Sequence, residues 1–298
     1  MKNQPTLDAL LSKLGEIEHA RGPLPAQFAE TEELFIEIAA LRVSAEDDAA
    51  IALFRRRHSS FSSTDTMHGH VCCRPRGYPG DFEIIDRIYR RHVTAKPEHA
   101  RWDEFFHWGE AVRAVRGRKA YCIERFSDAA SRPFASILNI ASGPCRDVFE
   151  FKQLREASSC HVHCVDLDEN AVAYGRQLLA EHSSSVSFGV QNVLRAQFDQ
   201  KYDLVWSAGL FDYLPDSMFV RLLRRLESSV APKGELIVGN FGPALRSRAY
   251  MEFGEWRLTY RDEARLHDLA VAAGFAAARI SVDTEETGVN HFLRVNAR

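Results

Sequence analysis

The stretch Ser136–Asp147, Ser-Ile-Leu-Asn-Ile-Ala-Ser-Gly-Pro-Cys-Arg-Asp, decides the fold. Its aliphatic part, Ile137–Ile140, predicts a short buried strand. The small residues Ala141-Ser142-Gly143 let the backbone turn sharply, and Pro144 suits the first turn of a helix, where its missing N–H costs nothing. Such a strand, turn and helix start can bring free backbone N–H groups to a nucleotide-like ligand. The same pattern also occurs in α/β turns that bind nothing, so the residues downstream must decide.

Strands and helices alternate from Ser136 onward. We expect helices near Arg146–Ala157, Glu169–Ala180 and Met218–Val230. The predicted strands are Ile137–Ile140, His161–Val165, Val186–Val190, Tyr202–Ser207 and Glu235–Asn240, with a closing antiparallel pair near Ala277–Val282 and Phe292–Val295. This order predicts an α/β fold with a Rossmann-like, doubly wound, mostly parallel sheet.

Polar residues follow three of these strands. Asp166 ends the second strand, where an acidic side chain can accept hydrogen bonds from ribose hydroxyls, while Asp168 suits the cap of the next helix. Asn192 follows the third strand and offers an amide suited to an adenine edge. The loop Ala208–Asp216 after the fourth strand can place aromatic and acidic groups, Asp212 among them, at the carboxyl end of the sheet.

The first part of the chain predicts an α-helical cap, residues 1–130, ahead of a sheet domain at residues 131–298. Residues 61–70 are polar and turn-rich, and Arg74–Asp81, with two Gly and two Pro, predicts a structured loop. It enters a helix from Phe82 to about Arg91 that is capped by Asp81. Two interpretations stay open: a capped helix with a rigid entry loop, or a lid that brings Tyr78, Asp81 and the arginines of this segment to a ligand.

Residues 101–126 predict one further helix with an aromatic face and a basic cluster near its end. A basic cluster is usually a solvated face. Because this one lies just upstream of the first strand, one of its arginines could instead hold a carboxylate in a bidentate fork.

The composition is that of a soluble globular protein, with 298 residues, 45% of them hydrophobic and 27% charged. The net charge of −3 argues against nucleic-acid and membrane-surface partners. The six cysteines form no Cys-x-x-Cys pair, so we expect reduced thiols and no metal. The N-terminal residues show no signal-peptide core, so we expect a cytoplasmic location. We expect a monomer or a homodimer.

The domain from Ser136 resembles class I S-adenosylmethionine (SAM) methyltransferases in five landmarks: Asn139–Cys145, Asp166, Asn192, Tyr202–Leu214 and Pro232-Lys233-Gly234. The resemblance implies SAM as cofactor or substrate and a small-molecule partner. The residues it implies for binding SAM are Ala141, Ser142, Gly143, Asp166, Leu167, Asn192, Ser207, Ala208, Asp81, Arg118 and Asp212.

The whole chain, including Arg74–Tyr89 and Arg248–Arg261, resembles a narrower bacterial group with a helical N-terminal cap. That group is commonly assigned to the synthesis of 3-hydroxy fatty acid methyl esters. The chain is also similar to azetidine-2-carboxylate synthases, which cyclise SAM on the same fold. Both similarities imply secondary metabolism.

Asn139 stands where class I methyltransferases usually have Asp or Glu, and only Gly143 remains of their glycine-rich loop. A carboxylate there would favour the ammonium form of SAM, whereas a neutral amide leaves a nucleophilic amine beside the γ-carbon. We therefore expect cyclisation to azetidine-2-carboxylate with release of methylthioadenosine, with Asn139, Tyr78 and Ser207 as candidate catalytic residues.

Two alternatives stay open beside cyclisation. One is O- or N-methyl transfer to a small molecule such as a hydroxy fatty acid carboxylate, and the other is a non-catalytic SAM-binding module. Asn139 can equally be a structural hydrogen-bonding residue. Methyl transfer needs a second pocket, whose candidate lining residues are Phe211, Tyr213, Met251, Trp256 and Tyr260.

Overall fold

Helices come first along the chain, and strands alternate with helices after them. The computed structural model describes residues 5–156 and 158–297. The first helices are α1 (Leu7–His19), α2 (Phe28–Ala40), α3 (Ala45–Arg57), α4 (Ser59–Ser62), α5 (Met67–Cys73), α6 (Phe82–Tyr89), α7 (Ala100–Trp108) and α8 (Glu110–Ala129).

The second part of the chain supplies the sheet. Its strands are β1 (Ser136–Ile140), β2 (His161–Asp166), β3 (Val186–Val190), β4 (Tyr202–Ser207), β5 (Val230–Phe241), β6 (Ile280–Thr284) and β7 (Asn290–Asn296). The remaining helices are α9 (Arg146–Leu154), α10 (Glu169–Leu178), α11 (Asp216–Glu227), α12 (Arg248–Phe253) and α13 (Glu263–Ala272).

The chain divides into two compact units. The helical unit comprises the residues up to Arg113 together with Leu245–Arg257, and the sheet unit comprises Ala114–Ala244 together with the residues from Leu258 onward. We expected a boundary between residues 130 and 131, whereas this division falls inside α8. The segment Leu245–Arg257, which contains α12, interrupts the chain of the sheet unit and belongs to the helical unit.

The strand order in the sheet is β3-β2-β1-β4-β5-β7-β6. The pairs from β3 to β5 are parallel, while β7 runs antiparallel to both β5 and β6. The prediction of a Rossmann-like, mostly parallel sheet is therefore confirmed. The order reverses between β1 and β4, and ligands of such sheets bind beside that point, at the carboxyl ends of the strands.

Apolar side chains cover both faces of the sheet. On one face Val205 and Val238 pack with leucines of α11 and α13. On the other face Ile137 and Trp206 pack with Phe126 of α8 and with residues of α9. Because successive strand residues point to opposite faces, these two cores fix the register of each strand.

Local capping follows the sequence closely. Asp81 accepts hydrogen bonds from the N–H groups of Glu83 and Ile84 at the start of α6, and Asp168 accepts one from Asn170 N at the start of α10. The placement of Pro144 is wrong, because α9 begins only at Arg146 and Cys145 precedes it in a left-handed conformation. Ala157, the predicted end of that helix, lies outside the described residues.

The helical unit differs from what the sequence pattern indicates in two places. The segment Phe61–His70, polar and turn-rich in sequence, is mostly helical, because α4 and α5 cover most of it; Thr66 caps α5, and His68 and His70 are buried there. Residues 101–126 form two helices rather than one, because Gly109 between α7 and α8 adopts ψ of 139°. A glycine inside a helical pattern is a weak signal for such a break.

Within the described residues, none of the helices has the length and apolar content that crossing a membrane requires. Residues 5–156 and 158–297 also contain no cluster of three His, Cys, Asp or Glu side chains arranged to hold a metal ion.

Candidate functional site

The loop after β1 holds an unusual backbone conformation. Ala141, Gly143 and Cys145 have φ of 51°, 54° and 54°, so every second residue is left-handed. For a residue with a side chain that conformation costs on the order of 1–2 kcal/mol. A Cβ added at Gly143 would meet no atom within 4 Å, so this side of the loop is open to close approach. Strain of this kind concentrates where a backbone must present its groups to a ligand.

Asp166 ties this loop to the end of β2. Its Oδ2 accepts a hydrogen bond from Gly143 N at 2.8 Å, and its Oδ1 accepts one from Asp168 N at 2.9 Å. Burial raises the pKa of Asp166, although the two N–H groups oppose that shift. Each carboxylate oxygen keeps a further lone pair, so the clamp leaves room for hydroxyl donors.

Asn139 lies in β1 between Cys164 of β2 and Trp206 of β4, with which it shares a face of the sheet. The side chain is 2% exposed, and its Nδ2 has no hydrogen-bond partner among the described residues. A buried donor without a partner costs about 1–3 kcal/mol. By this measure the unpartnered amide of Asn139 lowers the stability of the fold.

The carboxyl end of β4 carries a second set of polar groups. Ser207 is fully buried, and its Oγ has no partner in the described part of the chain. The neighbouring Ala208 O accepts a hydrogen bond from Arg118 Nη1 at 3.3 Å. A Cβ added at Gly209 would come within 3.1 Å of the same nitrogen, so the guanidinium of Arg118 lies directly over this turn.

Similar unpartnered atoms occur beside the ends of β1 and β3. Ser142 Oγ in the first loop and Gln191 Oε1 after β3 are buried without a hydrogen-bond partner among the described residues. Asn192 accepts a hydrogen bond from Leu194 N through its Oδ1 at 3.0 Å, which leaves its Nδ2 as the donor for an adenine edge. Leu167, beside Asp166, is 66% exposed.

Asp212 lies in the short 3₁₀ turn that follows β4. Its Oδ1 accepts a hydrogen bond from Phe241 N at 2.7 Å, and its backbone carbonyl accepts one from Thr259 N at 2.7 Å. Burial raises the pKa of Asp212 to about 6, while the Phe241 N–H and the charges of Arg118 and Arg261 act in the opposite direction.

Arg261 stabilises this turn, and the sequence patterns did not indicate it as a functional residue. Its guanidinium donates to Phe211 O, to Leu214 O and to Asn240 Oδ1, at 3.1, 2.5 and 2.7 Å. It also pairs with Asp216 at 2.8 Å. No sequence signal links Arg261 to these partners, which lie 21 to 50 positions away along the chain.

The two candidates from the cap belong to the helical unit. Asp81 is fully buried, with His70 Nε2 lying 2.9 Å from its Oδ2 and the N-cap bonds on its Oδ1. Tyr78, in the loop before α6, is 37% exposed. The partnership with His70 was not expected, because nothing in the spacing of the two residues indicates it.

The candidate lining residues of a second pocket separate in the same way. Phe211 is fully buried in the core of the sheet unit, with its ring centroid 4.8 Å from that of Phe219, so it is a packing residue. Tyr213 is 42% exposed and Tyr260 is half-buried, whereas Met251 and Trp256 are buried and belong to the helical unit.

Comparisons with known proteins agree with this fold. Residues 137–234 match the family model described as a methyltransferase domain. A curated relative, phosphoethanolamine N-methyltransferase 2 of Caenorhabditis elegans, is 28% identical over 122 residues, which make up 40% of this chain. The match spans about a quarter (26%) of the length of that relative.

Two solved structures extend the comparison. A protein of Bordetella parapertussis, described as a possible exported protein, superposes with a TM-score of 0.64 at 17% identity over 98% of this chain and 97% of its own. Magnesium protoporphyrin IX methyltransferase of Synechocystis PCC 6803, solved with bound SAH, superposes with a TM-score of 0.51 at 16% identity over 72% and 93% of the two chains. At these identities the likeness concerns the fold, and the sheet unit has the Rossmann-like class I methyltransferase fold.

Proposed function

We propose that this protein transfers a methyl group from SAM to a small molecule. The observation that carries the proposal is the set of buried polar atoms without partners at the carboxyl ends of β1 and β4: Asn139 Nδ2, Ser142 Oγ and Ser207 Oγ. They flank the point at which the strand order reverses, which is where ligands of such sheets bind. The match of residues 137–234 to methyltransferase domains supports SAM as that ligand.

Each part of SAM finds a suitable group in the sheet unit. The open side of the loop at Gly143 allows SAM to approach the protein backbone closely. The remaining lone pairs of Asp166 receive the ribose hydroxyls, and Asn192 meets the adenine edge. The guanidinium of Arg118, held at Ala208 O, pairs with the carboxylate of the amino-acid end.

The sulfonium already makes the methyl group sufficiently electrophilic. The reaction therefore needs donor and acceptor to be positioned, rather than a metal or a covalent intermediate. Transfer breaks the S–CH₃ bond, leaves the electron pair on sulfur as S-adenosylhomocysteine, and joins the methyl group to the acceptor. Holding acceptor and donor in line supplies up to on the order of 7–11 kcal/mol in favourable systems. The expected partner is a small-molecule acceptor, and the cytoplasmic location and the monomeric or dimeric state stay predictions.

Calorimetric titration with SAM and with S-adenosylhomocysteine tests the binding half of the proposal. We expect both to bind the purified protein, and Asp166→Ala to abolish binding. Formation of S-adenosylhomocysteine from SAM in the presence of candidate acceptors tests the transfer. Binding of SAM without turnover in any acceptor would instead support a non-catalytic SAM-binding module.

Asn139 favours a second candidate function, the cyclisation of SAM to azetidine-2-carboxylate. A neutral amide at this position leaves the amine of SAM free to attack its own γ-carbon, which expels methylthioadenosine. The comparisons favour methyl transfer, so the cyclisation depends on Asn139 alone. Incubation with SAM and no acceptor separates the two: methylthioadenosine indicates cyclisation, whereas intact SAM that yields S-adenosylhomocysteine only with an acceptor indicates transfer. Asn139→Asp should impair cyclisation more than SAM binding.

A further inference from the structure

Hydrogen bonds hold both the side chain and the backbone of Asp212. Phe241 N–H of β5 fixes its Oδ1, and Thr259 N–H fixes its backbone carbonyl. Arg261 also donates hydrogen bonds to the carbonyls of Phe211 and Leu214, which lie before and after Asp212 in the chain. The side chain therefore has one orientation at the carboxyl end of β4, the edge of the sheet assigned above to SAM.

Only one of the two carboxylate oxygens is used in this arrangement. Oδ1 accepts the Phe241 N–H, and the structure records no hydrogen bond to Oδ2 from any residue in 5–156 or 158–297. The residue as a whole is 2% exposed, so little bulk water reaches the carboxylate. A weakly solvated carboxylate whose second oxygen has no hydrogen-bond donor is a stronger proton acceptor than the same group in water.

The charges around Asp212 set its protonation state. Burial brings its pKa to about 6, and the charged groups that face it are Arg118 from α8 and Arg261 from the segment before α13. Both arginines oppose the rise, so the carboxylate is predominantly ionised at pH 7 and above. A general base works best when its pKa lies near the working pH, because it is then both ionised and basic.

We propose that Asp212 is the proton acceptor of the methyl transfer, and that the acceptor substrate is therefore an amine or a hydroxyl compound rather than a carboxylate. The inference rests on the proposed function. As the new N–CH₃ or O–CH₃ bond forms, the N–H or O–H proton of the acceptor passes to Asp212 Oδ2, and the electron pair of the broken S–CH₃ bond stays on sulfur. Oδ1 remains bonded to Phe241 N–H throughout, so the base does not move.

Charge selects the same class of acceptor. A carboxylate substrate has no proton to lose and would meet the anion of Asp212 in a weakly solvated site, where like charges repel strongly. A protonated amine is attracted to the same anion, but it must lose one proton before its nitrogen lone pair can attack the methyl group. A hydroxyl donates a hydrogen bond to Oδ2 and becomes more nucleophilic as the proton departs.

The first experiment uses the unmodified protein and three sets of acceptors: primary alkylamines, aliphatic and aromatic hydroxyl compounds, and medium-chain fatty acids. Formation of S-adenosylhomocysteine is measured from pH 5 to 9. We expect turnover with an amine or hydroxyl compound, with a kcat that rises with one inflection near pH 6 for aliphatic hydroxyl compounds and continues to rise towards pH 9 for alkylamines, whose own ionisation adds to the profile. Turnover of fatty acids alone, no turnover of any amine or hydroxyl compound, or a rate independent of pH would overturn the assignment.

The second experiment compares Asp212→Asn with Asp212→Glu. The asparagine keeps an oxygen for Phe241 N–H but cannot take a proton, so kcat should fall by roughly 10²–10⁴-fold. SAM affinity, measured by calorimetry, should fall far less than kcat, because a proton acceptor acts in the transfer step. The glutamate variant should keep the pH inflection at a lower kcat. Full activity of Asp212→Asn would refute the base.

The two proposals fail in different ways. If the unmodified protein does not bind SAM, the proposed function is wrong and Asp212 has no such role. If it binds SAM and methylates fatty acids, or if Asp212→Asn retains kcat, methyl transfer stands and the assignment of Asp212 falls. Neither the acceptor panel nor the pH profile depends on whether a variant folds.

Discussion

The buried guanidinium of Arg261 offers the sharpest test of what holds the turn after β4 in place. Arg261 and Arg265 pair with the same carboxylate, that of Asp216, but the side chain of Arg261 is 1% exposed and that of Arg265 is 51% exposed. Replacement of each arginine by methionine removes the same charge and donors at similar volume. The two variants form a matched pair that differs in burial.

The magnitude follows from the acceptors that each replacement leaves behind. In Arg261→Met, Leu214 O and Asn240 Oδ1 lose their donors, whereas Phe211 O still accepts the Leu214 N–H. A buried acceptor without a partner costs about 1–3 kcal/mol, so two of them cost roughly 2–6 kcal/mol. Arg265→Met removes an exposed ion pair, which is worth on the order of 0–1 kcal/mol.

Thermal and urea unfolding of both variants measures the difference. We expect Arg261→Met to lower the Tm by ~10 °C and Arg265→Met by ~3 °C at most, at about 2–4 °C per kcal/mol for a domain of this size. Because Arg261 also positions the segment that carries Asp212, its loss should lower turnover in the molecules that remain folded. Equal losses of stability in the two variants would refute the reasoning, since they would show that the shared ion pair with Asp216, and not the buried carbonyls, carries the energy.

Three further predictions concern Asp166, Asp212 and the thiols. Asp166→Ala should abolish SAM binding, because Gly143 N–H and the ribose hydroxyls lose their acceptor. The control Asp168→Ala removes only a helix cap worth about 1 kcal/mol and should still bind SAM, and calorimetry of both variants measures the difference. Burial raises the pKa of Asp212 from 3.8 to about 6, so ionisation in the folded state costs stability as the pH rises from 4 to 6. The stability of Asp212→Asn relative to the unmodified protein should therefore rise by up to about 3 kcal/mol between pH 4 and pH 8, at 1.36 kcal/mol per pKa unit. Urea unfolding at both pH values would contradict this by giving a constant difference. Iodoacetamide under native conditions should label the exposed Cys73 ahead of Cys72, because burial raises the pKa of Cys72 to about 12; mass spectrometry after short exposures would refute this by finding both modified at equal rates.

Much of the sheet unit could be predicted from the sequence because its signals are local. Val186–Val190 and Tyr202–Ser207 are strands with the expected bounds, since short apolar runs between turn residues have few alternative structures. Asp81 and Asp168 cap their helices as expected, because an Asp side chain reaches the N–H groups two or three residues ahead whatever lies around it. The order of alternating elements was enough to predict the parallel sheet.

The candidate site was only partly predictable, because its contacts join distant parts of the chain. The clamp between Gly143 and Asp166 spans 23 residues and follows from the sheet, in which the two strand ends are neighbours. Neither the binding of Asp212 to Phe241 N nor the unpartnered amide of Asn139 could be derived from spacing. Each depends on which backbone groups the fold leaves nearby, and that is a property of the packed chain.

The sequence by itself determined the strand, the small-residue turn and the helix that follow one another in Ser136–Asp147. Those elements result from local sterics and apolar burial, which each short segment carries with it. The tertiary structure alone decided that Ala141 and Cys145 become left-handed around Gly143. That conformation is unfavourable in isolation, and it persists because Asp166 and the carbonyl of Val165 hold the N–H groups of the loop from the neighbouring strand.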